Sequence, residues 1–172
     1  MSTRSRRRLA LALTTVGAAL TFGAANPSGA AAAKPPSYLL DGGDRWFTHD
    51  VGWYPVVQGP AEIVLNGRRT LSGTLSATIQ PDDHTMPAPG ECESGITFVF
   101  VDGTRRGADT MLSSAGEICG HPVQPPTSVV THTFTGTATI EESGRHRLEG
   151  REAFLEVRMA EDGRASVFAT TW

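Results

Sequence analysis

Cysteine occurs only twice in this chain of 172 residues, at Cys92 and Cys119, which excludes a four-thiolate zinc site or an iron–sulfur cluster built from one chain. Charged residues are also few, 19% against 39% apolar, so a coiled coil and a charge-driven disordered segment are both excluded. Lysine is nearly missing. Lys34 is the single one among 15 basic residues, the rest being arginine, a bias of a GC-rich genome with no functional content. No window keeps the 3.6-residue apolar period of an amphipathic helix beyond two turns. The G-x-S-x-G elbow, H-E-x-x-H and G-x-x-x-x-G-K-S/T are all missing, so no hydrolase, kinase or metalloenzyme signature is present and no cofactor is expected.

What is present begins with an export signal. Arg4, Arg6, Arg7 and Arg8 form a positive start, residues 9–25 are apolar, and Ser28-Gly29-Ala30 followed by Ala31-Ala32-Ala33 offers small-residue cleavage sites. Thr14, Thr15, Gly17, Thr21 and Gly23 interrupt the apolar run, which falls short of the roughly 20 strongly apolar residues of a spanning helix. Residues 1–33 are therefore expected to be a signal peptide and residues 34–172 a single secreted domain. Ser5-Arg6-Arg7-Arg8-Leu9 also has the form of a twin-arginine signal, so both export routes stay open. Losing the four arginines leaves 11 basic against 18 acidic groups and a net charge of −7. Such a protein repels phosphate backbones and anionic lipid surfaces, so neither nucleic acid nor membrane is expected as a partner.

Period-two alternation dominates from residue 61 onward and predicts an all-β domain. Over residues 70–79, Leu71, Gly73, Leu75, Ala77 and Ile79 share one face and Thr70, Ser72, Thr74, Ser76 and Thr78 the other. Over residues 129–140, Val130, His132, Phe134, Gly136, Ala138 and Ile140 oppose five threonines, which suit a solvent-facing strand surface. Residues 96–101 are apolar on both faces, predicting a strand covered on both sides or one whose outer face meets a loop. Glu161-Asp162-Gly163 between two alternating runs predicts a hairpin over residues 153–169. Shorter strands are expected at 46–49, 61–66 and 107–113, and Pro-rich loops at 81–90 and 120–126. Six to eight antiparallel strands with small inner residues (Gly73, Gly136, Ala138) favour a closed up-and-down barrel, with a β-sandwich as the alternative.

Two cysteines in an exported protein predict a disulfide, here closing the open end of the hairpin formed by strands 96–101 and 107–113. The cross-link is worth roughly 3 to 4 kcal/mol in the chain-entropy model. His132, alone ionisable on the inner face of its strand, is the best candidate for a catalytic or ligand-orienting group. Structurally it can instead hydrogen-bond a backbone carbonyl or a core carboxylate, or lie near a barrel mouth and touch water. Tyr38, Trp46, Phe47, Trp53 and Tyr54 crowd the start of the domain, and with Phe134 supply a candidate ligand-binding set: Trp46, Trp53, Tyr54 and Phe134. The same aromatics can plug one end of the barrel. Asp82-Asp83-His84 and His49-Asp50 are the only acid–histidine clusters, and their loop context argues against a metal site.

The run Thr133-Phe134-Thr135-Gly136-Thr137-Ala138-Thr139-Ile140, followed by Arg147-Leu148-Glu149-Gly150, resembles a pattern of exported actinobacterial proteins in the allene oxide cyclase and dirigent-like barrel superfamily. Arg147-Leu148 stands for the family's Arg-Phe, Arg151 for a small residue and Ala153 for its last glycine, while residues 143–146 are extra. The resemblance covers roughly the last forty residues. It implies an eight-stranded barrel with an apolar lumen, in some members oligomeric, acting as a cyclase, as a stereochemical guide or without known activity. Two functional expectations follow. In one, the barrel binds a small apolar or aromatic ligand in its lumen and guides its chemistry. In the other, it is a non-catalytic extracellular interaction module whose lumen is filled by Leu75, Phe98, Phe134 and Phe154.

Overall fold

The computed structural model describes residues 37–48, 54–67, 69–104, 109–122, 130–143 and 147–172, so the predicted signal peptide, Trp53 and the His49-Asp50 pair lie outside the described residues. These residues form nine strands: β1 (Tyr38–Gly42), β2 (Arg45–Thr48), β3 (Pro55–Leu65), β4 (Arg69–Pro81), β5 (Cys92–Gly103), β6 (Thr110–Gly120), β7 (Val130–Glu142), β8 (Glu152–Ala160) and β9 (Ala165–Thr171). From β3 to β9 each strand pairs antiparallel with the next, and β1 closes the sheet by pairing with both β9 and β3. The result is an eight-stranded up-and-down barrel, with β2 outside the closure, laddered to β3 and bridged to the β8–β9 turn through Arg45 and Arg164. Of barrel and sandwich, the barrel forms.

The alternation seen in the sequence is the in–out alternation of the wall. Leu71, Leu75, Ala77 and Ile79 of β4 and Phe134, Ala138 and Ile140 of β7 are buried inside, as are Ala153, Leu155, Val157 and Met159 of β8. The interior small residues do the work expected of them in a narrow barrel. Gly116 and Gly136 face each other across β6 and β7. A Cβ on Gly116 would stand 2.2 Å from the Thr135 carbonyl and 2.8 Å from the Phe134 ring, and one on Gly136 would meet the Ser114 hydroxyl at 2.4 Å. The missing side chains let the two strands curve inward and make room for the Phe134 ring.

Three expectations need correction. Ile96, Phe98 and Phe100 are not covered by a sheet or loop of the described residues: Thr97, Val99 and Val101 take the inside, leaving the other face of β5 bare. Phe98 and Phe154 therefore do not fill the lumen, because each is offset by one residue from a buried set, Val99 on β5 and Ala153 and Leu155 on β8. The strand predicted at 107–113 begins at Thr110 and runs to Gly120, so Cys119 lies within β6 and not after it. Ala115, Gly116 and Glu117 break the apolar alternation that marks the rest of the strand. Also unforeseen was β1, five residues long, whose buried Tyr38 and Leu40 complete the ring of strands.

The hairpins otherwise follow the sequence. Gly163 takes the positive φ of the predicted turn, +83°. Cys92 and Cys119 are direct cross-strand partners on β5 and β6 and form the predicted disulfide, with Cα atoms 4.1 Å apart. Pro60 stands inside β3 without breaking it, since its carbonyl still accepts from the Gly43 amide.

Candidate functional site

The up-and-down order brings the ends of β2, β4, β6 and β8 and the starts of β3, β5, β7 and β9 to one mouth of the barrel, which gathers most of the residues singled out in the sequence. Trp46 packs half-buried against the core, and its indole N–H donates to the Ala160 carbonyl at 2.7 Å. Met86, from the loop after β4, packs beside the same core. The Tyr54 hydroxyl lies 3.0 Å from His84 Nδ1, the two rings meeting edge to face at 5.7 Å. Phe134 sits deeper, fully buried in the lumen. Of the four predicted ligand-binding residues, Trp46 packs against the core from β2, Phe134 belongs to the core, Tyr54 is tied to the exposed His84, and Trp53 is not among the described residues.

His132 occupies a bulge where β7 slips against β8, Val130 facing Ala160 and His132 facing Met159. Its Nε2 is 3.2 Å from the Pro87 carbonyl and its Nδ1 is 3.1 Å from the Thr131 hydroxyl, which itself lies 3.2 Å from the Met159 carbonyl. The hydroxyl has a single proton. Only a doubly protonated imidazole satisfies all three links, donating from both nitrogens, and the neutral ring gives up one of them. Burial nevertheless pushes the His132 pKa below the ordinary imidazole value, the Pro87 carbonyl opposing this and the His121 charge adding to it. The ring ties the loop after β4 to β7. Its partners are a carbonyl and a hydroxyl, the arrangement of a structural tether.

Inside the barrel, burial raises the Tyr38 phenol well above its ordinary value, offset only in part by the Thr110 hydroxyl. The Thr97 hydroxyl is fully buried on the inner face of β5 and has no hydrogen-bond partner among the described residues. Cys92, Cys119 and Glu117 bring three donor atoms together on the outside. Two of these are the sulfurs of the disulfide, which offers no thiolate to a metal.

The features that sequence reasoning missed lie on the outer wall. On β5, Ile96, Phe98 and Phe100 are 38%, 44% and 45% exposed, in register with Ala115, Ser113 and Met111 of β6. Carboxylates bound this apolar stripe. Asp102 continues it on β5, Glu117 lies beside the disulfide, and Glu142 is opposite Met111, while no ion pair neutralises them among the described residues. The two-faced apolarity of residues 96–101 was the available signal for the stripe. A groove of about 300 Å³ lined by Asp41, Glu156, Arg158, Ser166 and Phe168 opens over β8, β9 and β1, and a second of about 340 Å³ adjoins it at Arg158 and Ser166. The chain matches no protein-family model, no curated protein and no solved structure.

Proposed function

We propose that this chain is an exported, non-catalytic interaction module that recognises a polypeptide partner through the outer wall of β5 and β6. The carrying observation is the exposed Ile96–Phe98–Phe100 stripe on a strand whose inner face is already satisfied by Thr97, Val99 and Val101. Interior packing needs nothing from the three outer side chains, and exposed contiguous apolar surface on a small domain marks a contact site. The partner's chemistry follows from the rim. Asp102, Glu117 and Glu142 are acidic and unpaired among the described residues, so the occupant is a segment with an apolar centre and Lys or Arg at its edges. A second copy of the chain is disfavoured because it would bring acidic rims together. The Cys92–Cys119 disulfide supports an oxidising compartment and staples the recognition hairpin at one end.

Selection of a random peptide library on the protein tests this. Enriched peptides should combine aromatic or branched residues with Lys or Arg, and should be lost on the F98S/F100S variant but kept on D41N, which alters the far wall. Peptides that bind F98S/F100S as well as the parent, or a parent that self-associates through the stripe, would overturn the proposal.

A second reading keeps the lumen ligand. It is supported by the Thr97 hydroxyl, an inward polar group that a ligand carbonyl or hydroxyl would satisfy. The eight-stranded closure is compatible with the likeness to allene oxide cyclase and dirigent-like barrels, in which a guided reaction would run in that space. Native mass spectrometry of protein from its own culture medium separates the readings, since a bound small molecule lost on T97V favours the lumen and an unliganded mass favours the wall.

A further inference from the structure

On the wall opposite the apolar stripe, Phe168 of β9 stands between two carboxylates in one cross-strand row, Asp41 of β1 on one side and Glu156 of β8 on the other. In the next row Ser166 faces Arg158, and on its other side Gly43 comes so close that a Cβ there would lie 3.2 Å from the Ser166 Cα. The serine and the glycine keep the wall low at this point, while Phe168, Asp41, Glu156 and Arg158 rise around it. Such a floor and rim produce the groove of about 300 Å³, at the small end of the range for small-molecule sites.

The charges around the groove do not cancel. Arg158 is engaged by Glu156 at 2.6 Å, and Asp41 has no ion pair among the described residues, so one negative charge is left over. Phe168 is 37% exposed, and no cation of the described residues stacks on it. An unpaired carboxylate beside an available aromatic ring favours an ammonium or guanidinium group, by charge and by the ring quadrupole together. An anion would meet Asp41 and Glu156, and an apolar ligand would find one large apolar side chain among the five that line the groove. The only metal-like donor cluster among the described residues lies elsewhere, at Cys92, Glu117 and Cys119. We infer that the β1–β9–β8 groove is a binding site for an organic cation, held between the Asp41 carboxylate and the Phe168 ring. This site is separate from the β5–β6 stripe, and it stands or falls without it.

The test is a titration of the protein with n-butylammonium, followed by amide chemical shifts, with n-butanol as the neutral counterpart of equal size. Resonances of Asp41, Ser166 and Phe168 should move with the ammonium and not with the alcohol. D41N and F168L should each weaken binding about five-fold, the scale of a single exposed cation–π or charge contact. E156Q should weaken it as well, because it leaves the Arg158 guanidinium uncompensated in the groove without touching Asp41 or Phe168. Glu91→Gln, in the exposed loop before β5, should leave binding unchanged. A blocked peptide acetyl-Ala-Lys-Ala-amide separates two sources of the cation: tighter binding than butylammonium indicates a lysine side chain of a polypeptide, and equal or weaker binding indicates a free amine. Equal shifts with butanol, or parent-like titration of D41N and E156Q, would overturn the inference.

Discussion

The two outer walls of this barrel have the same backbone geometry and opposite surface chemistry. On the wall of β8, β9 and β1, Arg158 is paired with Glu156, and in the β8–β9 turn Arg164 is paired with Asp162, both at 2.6 Å, which leaves Asp41 of β1 without an ion pair among the described residues. Over β5 and β6 the exposed apolar side chains run along one strand, and the carboxylates around them have no cation among the described residues. Paired surface charges satisfy themselves locally and contribute little to stability. The exposed acids are solvated by water, while the apolar side chains beside them keep 38% to 45% of their surface in contact with it. The stripe wall thus presents apolar side chains, and the far wall presents a charged surface with two adjoining grooves.

Breaking the staple on the stripe wall has the largest expected effect. C92S/C119S, or reduction, should cost roughly 3 to 4 kcal/mol and lower the melting temperature by about ten degrees. Hydrogen exchange should report the loss mainly in β5 and β6 and leave β8 and β9 protected, and recovery of both cysteines as free thiols by non-reducing peptide mapping would remove the basis of the prediction. Next is G116A, which drives a methyl group into the Thr135 carbonyl and the Phe134 ring and should cost about 2 kcal/mol by overpacking, read from the denaturant midpoint. Polar replacement of the stripe is expected to be nearly silent for stability: F98S/F100S should move the midpoint by less than about 1 kcal/mol while reducing the binding of a hydrophobic dye. A large stability loss there would show that the two phenyl groups serve the fold and would erase the contrast between the walls.

The smallest effect is at His132, between the walls. Its pKa is lowered in the folded chain, chiefly by burial, so the unfolded chain takes up the proton first as pH falls. Stability is complete above the unfolded imidazole value of about 6.5 and declines as pH drops through it toward the lower folded value. H132Q retains an amide donor for Pro87 and should flatten that decline between pH 7.5 and 5, as measured by urea midpoints. An unchanged pH profile would show that other groups carry it.

Much of the scaffold was legible because strand alternation reports burial directly. Leu71 to Ile79 and Phe134 to Ile140 announce which way they face, and Asp162-Gly163 announces its turn. The cysteines were legible as a pair, though their place inside both strands was not, because Gly116 and Glu117 interrupt the pattern that marks a strand. His132 was legible as an inward imidazole. Its partner was not, since Pro87 is 45 residues away in sequence and its carbonyl carries no sequence signal at all. The candidate sites on the outside were the least legible. Asp41, Glu156 and Phe168 come from three strands, and each by itself looks like an ordinary solvent-facing residue.

By itself the sequence determined that the chain is all-β, which residues of most strands turn inward, that two cysteines can be joined, and that the domain is acidic once its arginine-rich start is set aside. These are local properties, written in the period of two and in composition. The tertiary structure decided that the ribbon closes into a ring of eight strands, that Phe98 and Phe154 face out while Leu75 and Phe134 face in, and that Asp41 and Glu156 flank Phe168. The physical reason is register. Which residues stand side by side across a barrel wall depends on how each strand slides against its neighbours, and that is set by the packing of the whole interior and not by any one segment.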